Sequence, residues 1–181
     1  MRELSLHILD LIENSIRADA SVIDVSITET PEEDLLEIMV EDNGSGLSVP
    51  AEEVLSPFYT TKTGKRTGLG LSLFRTTSEQ AGGSLTLGKS AMGGVSVKAR
   101  MRLGSIDRNP LGDLAATLSS VVCTNPHIDL RCRLRTNTGE CTVRVSEVAQ
   151  EFRVNERCGL AIARRMSEKI RYGLKILHST A

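Results

Sequence analysis

The sequence predicts an α/β fold followed by a small α+β C-terminal module, and three observations carry that expectation. The first is an amphipathic helix over residues 4–18, where Leu9, Ile12 and Ile16 recur at spacings of three and four with Leu4 and Ile8 nearby. The second is a pair of β-rich runs, VIDVSIT at 22–28 and LLEIMVE at 35–41, joined by the acidic turn ETPEED. The third is a further helix followed by a final pair of strands. LGLSLFRTTSEQA reads as a helix stopped by Gly82-Gly83, and SLTLG and GVSVKARMR read as two more strands. Between the two units, residues 43–70 form a segment rich in glycine with Pro50 and Pro57, which reads as loop.

The composition shifts near Leu103, so the expected division is residues 1–103 and 104–181. GSIDRNP is a candidate linker, and Asn109-Pro110 suits the N-cap and first turn of a helix that buries Leu111, Leu114, Leu118 and Val121 or Val122. A hairpin follows. Ile128, Leu130, Cys132 and Leu134 alternate with Asp129, Arg131, Arg133 and Arg135. After the turn TNTG, Cys141, Val143 and Val145 alternate with Glu140, Thr142 and Arg144. Two cysteines thus point to the apolar face and four arginines away from it. The arginine face is a candidate partner surface, and equally a solvated sheet face. A last helix, capped by Asn155, buries Ile162, Met166 and Ile170.

With 40% hydrophobic and 25% charged residues the composition is that of an ordinary soluble globular chain. A formal net charge of −1 gives no global attraction to nucleic acid or an anionic membrane. No apolar run reaches the roughly 18 residues of a membrane helix, and the start MRELSLHILD lacks a basic-then-apolar leader pattern. A cytoplasmic location without membrane insertion is therefore expected. Cys123, Cys132, Cys141 and Cys158 form no CxxC pair, which favours reduced, buried thiols over a zinc site.

The common phosphate-binding loops fail. GKRT at 64–67 has Tyr59 where a Walker loop needs its first glycine, and the GxG pairs at 44–46 and 68–70 continue to Val49 and Leu73 instead of a third glycine. Four other blocks stand in order: LDLIENS on a helix, EDNGSGL after a strand, PFYTTK in the loop, and GLGLS opening the next helix. Together they resemble the N, G1, F and G2 boxes of the GHKL superfamily of ATPases, which includes histidine kinases, gyrase B, MutL and heat-shock chaperones. The match spans roughly residues 4–102 and implies a Bergerat-type two-layer α/β sandwich with a mixed sheet, covered on one face by the N-box and G2 helices.

The resemblance also implies ATP and Mg²⁺ as cofactors and assigns roles. Asp42 accepts the adenine amine, with Gly44 and Gly46 leaving room for backbone and water beside the base. Asn14 offers an oxygen to Mg²⁺. Gly68, Leu69 and Gly70 present free N–H groups to the phosphates at a helix start. Lys62 matches the F-box cation, while Lys65 and Arg66 fit a solvated basic loop as well as a nucleotide lid. The plainer alternatives are an Asx turn for Asp42, a surface amide for Asn14 and a simple turn for Gly68–Gly70. One departure is Gly93-Gly94-Val95, where related sequences often carry a threonine whose hydroxyl joins the adenine network. A lost hydrogen bond there costs about 0.5–1.5 kcal/mol.

On a 3.6-residue period His7, Asp10, Asn14 and Arg17 share one face, which makes His7 a polar helix-end residue. Asp10 lies one turn from Asn14. In MutL- and gyrase-like members a glutamate here is the general base for water, and in anti-sigma serine kinases it serves the acceptor hydroxyl. Histidine kinases more often have Asn. Asp10 is thus the candidate catalytic base, or alternatively a holder of the metal's water shell. The sequence has no H-box, so the resemblance implies the ATP-binding part of a kinase only. The expected function is Mg-ATP-dependent regulation with slow hydrolysis or phosphotransfer, or else a non-catalytic ATP-switched binding module or a serine kinase. The wording HILD…SIDRNPLGDLA…NPHID resembles short ATP-binding proteins of anaerobic bacteria encoded beside iron-only hydrogenase subunits, which implies a redox or hydrogenase-linked partner protein.

Overall fold

The structure is a computed structural model that describes residues 3–47, 49, 54, 69–153 and 158–179. In chain order the elements are α1 (Leu4–Arg17), β1 (Val22–Thr30), a 3₁₀ turn (Pro31–Glu33), β2 (Leu35–Asp42), α2 (Leu69–Gln80), β3 (Ser84–Lys89) and β4 (Val95–Arg102). There follow α3 (Leu114–Thr124), β5 (Asp129–Thr136), β6 (Gly139–Arg144), α4 (Val145–Gln150) and α5 (Gly159–Ile176). The fold is α/β, and the sheet is mixed and six-stranded, in the order β3-β4-β2-β1-β5-β6.

Period-two alternation decides which side of this sheet is covered. Ile23, Val25 and Ile27 of β1 share a face with Leu36, Ile38 and Val40 of β2, and all six are buried. Val97, Ala99 and Met101 of β4 and Leu130, Cys132 and Leu134 of β5 continue that face across the ladders. The helices supply the second layer. α1 touches α2 on one side and α3 on the other, and α3 packs against α5. The strands and helices contribute to one apolar core. Glu37, Lys98, Arg100 and Arg133 stand on the opposite face of the sheet, none of them buried.

The hairpin alternates as the sequence predicts, with Cys132 buried and Cys141 half-buried on the helix side. Its attachment has no local signature: β5 runs parallel to β1, from Val22 opposite Asp129 to Thr28 opposite Arg135. The sheet therefore runs on from residues 1–103 into residues 104–181. Segment 104–113 is tied down as well. The Leu4 and Ser5 amides at the start of α1 donate to the Pro110 and Leu111 carbonyls at 2.9 and 2.8 Å, satisfying two of the N–H groups a helix start leaves open. Gly112, at φ +76°, lies where a Cβ would come within 2.2 Å of a Glu3 carboxylate oxygen.

Several local expectations are corrected. The buried stripe of α1 is Leu4, Ile8, Leu11, Ile12 and Ser15, while Leu9 and Ile16 are only half-buried at its flank. Covering by helices on both sides makes the buried arc wider than a single stripe. The N-cap of α3 is Asp113, whose carboxylate accepts from the Ala116 amide at 2.8 Å, and Asn109-Pro110 lie before it in the segment that caps α1. The last helix begins at Gly159 with Cys158 as N-cap, and Asn155 lies outside the described residues. Met166 and Ile170 are buried there, and Ile162 half-buried. Cys123 and Cys158 are exposed, against the expectation of four buried thiols. The stop of α2 follows expectation: Gly82 has φ +75° and the Gly83 amide reaches back to the Ser78 carbonyl at 2.9 Å.

Candidate functional site

Asp42 is the last residue of β2, and the strand's alternation places it on the covered face with Leu36, Ile38 and Val40. A carboxylate facing the core must find donors or lose its charge. It finds three. Oδ1 accepts from the Gly44 amide at 2.9 Å and the Val95 amide at 3.2 Å, and Oδ2 accepts from the Ser15 hydroxyl at 2.6 Å. Only 4% of Asp42 is exposed.

The turn after Asp42 is clamped to the end of α1. The Ser45 amide donates to the Ala18 carbonyl at 2.9 Å, and Asn43 Oδ1 accepts from the Ser21 and Val22 amides at 2.9 Å each. Two glycines are dictated by this crowding. A Cβ on Gly94 would lie 2.0 Å from Asp42 Oδ1 and 2.6 Å from both the Asp42 carbonyl and the Gly44 amide nitrogen. A Cβ on Gly44 would lie 2.6 Å from the Ala18 carbonyl oxygen. At Gly46 a Cβ would meet only the Gly93 carbonyl oxygen, at an ordinary 3.7 Å, and it is the φ of +77° that glycine adopts without strain.

From Ser15 the helix carries the polar stripe toward α2. The Asn14 amide nitrogen donates to Asp10 Oδ2 at 3.4 Å, and Arg17 donates to Asn14 Oδ1 in a short contact. Asp10 in turn lies against the first turn of α2: a Cβ on Gly70 would fall 1.8 Å from its Oδ2. The structure therefore brings Asp10, Asn14, Asp42, Gly44, Gly46 and Gly70 into one region around α1. Leu69 opens α2. Lys62 and Gly68, like Lys65 and Arg66, lie outside the described residues.

The donor set fits the groups the resemblance implies. Asp42 is an acceptor-only carboxylate with lone-pair capacity beyond its three donors, as an adenine amine requires. Gly44 and Gly94 leave a cradle that a side chain would fill. Asn14 offers the hard oxygen that Mg²⁺ takes, on condition that Arg17 releases it.

The sequence reading missed Ser15 and misplaced His7. Ser15 has a usable signal: it is a small polar residue inside the apolar stripe of α1, and β2's alternation turns Asp42 toward that stripe. His7 is 2% exposed, not a polar helix end. Its ring stacks on Phe74 of α2 with centroids 4.7 Å apart and planes 13° apart. Thr77 Oγ1 lies 3.4 Å from Nε2, and Nδ1 has no hydrogen-bond partner among the described residues. Burial first of all pushes the imidazole down to about 4, while the nearby Asp10 charge opposes the shift.

A two-layer sandwich of this kind, with a glycine-cradled aspartate at the end of a strand beside a polar helix stripe, is a Bergerat-type α/β fold. Residues 2–105 match the family model described as histidine kinase-, DNA gyrase B-, and HSP90-like ATPase, and the chain belongs to that family. A curated relative is the two-component sensor PprA of Pseudomonas aeruginosa, 42% identical over 64 residues, which are 34% of this chain and 7% of that protein. Among solved structures, the ATP binding domain of PrrB from Mycobacterium tuberculosis is 27% identical with a TM-score of 0.41, over 54% of this chain and 64% of that one. The Aquifex aeolicus MutL ATPase domain complexed with ADP is 16% identical with a TM-score of 0.43, over 80% of this chain and 63% of that one. The chain thus spans less than two thirds of each of these relatives. No helix among the described residues is long and apolar enough to cross a membrane.

Proposed function

We propose that this protein binds Mg-ATP and works as a nucleotide-dependent regulatory protein, with slow hydrolysis or phosphotransfer to a partner protein. The observation that carries the reading is the buried Asp42 carboxylate, held by Ser15, Gly44 and Val95 at the end of β2. Family membership over residues 2–105 supports ATP as the ligand. In this reading adenine lies on Asp42 between Gly44, Gly46 and Gly94, and the phosphates run toward the start of α2 at Leu69 and Gly70.

Asn14 and the phosphate oxygens would hold Mg²⁺, which supplies charge neutralisation at the reacting phosphoryl group. Asp10 is one turn from Asn14 and in contact range of the first turn of α2, so its carboxylate stands at the phosphate end. There it can take a proton from an attacking water or partner hydroxyl, a role that contributes about 10²–10⁴-fold. Shorter than glutamate by one methylene, it equally suits holding a metal-bound water.

Labelled ATP separates the outcomes. Incubation of the protein alone and with a cytoplasmic extract should release phosphate or label a protein, acid-stable on serine or acid-labile on histidine. Binding without any transfer of label would reduce the protein to an ATP-switched binding module, and failure to bind ATP would remove the reading.

A further inference from the structure

Asn14 is the residue whose oxygen the nucleotide reading gives to Mg²⁺, and its side chain is engaged from both sides. One turn earlier on α1, Asp10 Oδ2 accepts from Asn14 Nδ2 at 3.4 Å. One turn later, the Arg17 guanidinium donates to Asn14 Oδ1 in a short contact. An ionised carboxylate only accepts and a guanidinium only donates. These two neighbours therefore leave the amide one orientation, with its nitrogen on Asp10 and its oxygen on Arg17. The oxygen suited to a hard cation is thus already turned to a cation.

Arg17 also has a second place to rest. Glu13 stands one turn before it, with Oε2 3.7 Å from Arg17 Nη1, inside ion-pair range but beyond hydrogen-bond length. The Arg17 and Glu13 side chains are 44% and 52% exposed, so the guanidinium can leave Asn14 and close on Glu13 without stranding a buried charge. It cannot share Asn14 Oδ1 with a divalent cation, because the two positive charges would stand at contact range and repel. The two occupancies of that oxygen exclude each other.

We propose that Arg17 competes with Mg²⁺ for the Asn14 oxygen and passes to Glu13 when that oxygen is given to the metal. The inference rests on the nucleotide reading and deepens it, by naming the residue that sets how strongly ATP binding depends on Mg²⁺. Asp10 keeps the amide nitrogen in either arrangement, so Asn14 presents its oxygen without a flip and only Arg17 has to move. The gain in ATP affinity that Mg²⁺ brings is therefore smaller than Asn14 would give without Arg17 beside it.

The test is calorimetric titration of ATP into the wild type and Arg17→Gln, each shown to be folded by its thermal transition. Each titration is run with EDTA and again with excess Mg²⁺ at matched ionic strength. Mg²⁺ should tighten ATP binding in both chains, and by about two- to fivefold more in Arg17→Gln, the scale of one exposed charged contact. Their Mg-free affinities should be the same. Glu13→Gln should shrink the gain in the wild-type background and leave it unchanged in the Arg17→Gln background. In an Asn14→Ala background, Arg17→Gln should alter nothing. An equal gain in wild type and Arg17→Gln, or an Arg17→Gln effect that persists without Asn14, would overturn the proposal and leave the nucleotide reading standing. So would weaker Mg-free binding in Arg17→Gln, which would make Arg17 a phosphate contact. Failure of the wild type to bind ATP under either condition would remove the nucleotide reading and the proposal with it.

Discussion

Two groups of charges on this sheet, on opposite faces, are handled in opposite ways. Asp42 is buried on the covered face, and three donors on separate elements converge on its carboxylate. Arg131 and Arg144 lie on the open face, set against each other by the strand register; neither Nε makes a hydrogen bond among the described residues, and each is held by an ion pair, to Asp129 at 3.7 Å and to Glu147 at 3.6 Å. The first arrangement fixes one anion through three converging hydrogen bonds. The second neutralises each cation through a looser ion pair with a neighbouring acid. A charge held by converging hydrogen bonds is fixed in place, whereas partly exposed ion pairs hold their side chains only weakly.

The contrast can be tested from both ends, beginning with the largest effect. Asp10→Asn, if Asp10 is the base, should slow phosphoryl transfer by about 10²–10⁴-fold with ATP affinity nearly unchanged; single-turnover assays with labelled ATP and calorimetry read the two quantities separately. Gly94→Ala drives a Cβ to within 2.0 Å of Asp42 Oδ1. It should destabilise the fold by roughly 1–3 kcal/mol and abolish nucleotide binding, as denaturant melts and titrations would show. Ser15→Ala removes the donor to Asp42 Oδ2 and should cost about 1–3 kcal/mol for an under-satisfied buried acceptor. A loss below a few tenths would mean that water replaces the hydroxyl.

His7 supplies a pH test. Its folded value of about 4 lies below the ordinary 6.5, so the unfolded chain takes up the proton first as pH falls. The contribution of neutral, stacked His7 is complete above about pH 6.5 and is lost progressively between there and about pH 4. The thermal midpoint of the wild type should therefore fall across that window more steeply than that of His7→Phe, which keeps the stack on Phe74 and cannot titrate. The smallest effect belongs to the open face. Arg131→Gln/Arg144→Gln should change the thermal stability by no more than about a few tenths of a kcal/mol, since the like-charge cross-strand pair and the two partly exposed ion pairs are lost together.

Much of this was legible in the sequence because it rests on local periodicity. The alternation of 128–135 and 140–145 gave the hairpin and its faces, and Gly82-Gly83 ended α2 where it does. The pairing of β5 with β1 was not legible, since it joins residues about a hundred positions apart and no local pattern encodes a partner strand. His7 was misplaced because helix arithmetic assigns a face without knowing that α2 covers it. The site was legible as motifs but not as chemistry. Asp42 and Gly44 stood in a recognisable block, whereas the donors from Ser15 and Val95 come from elements that only the fold brings together. At Val95 the side chain lacks a hydroxyl, but its backbone amide reaches Asp42, a donor that residue type does not reveal.

The central claim is that Asp42 is the group on which the nucleotide is read. Calorimetric titration of ATP with Mg²⁺ into the wild type and into Asp42→Asn, each first shown to be folded by its thermal transition, tests this most directly. Wild type should bind with a measurable heat, and the folded Asp42→Asn protein should lose most of its affinity, because the amide presents a donor where the adenine amine needs an acceptor. Unchanged affinity in a folded Asp42→Asn protein would contradict the account.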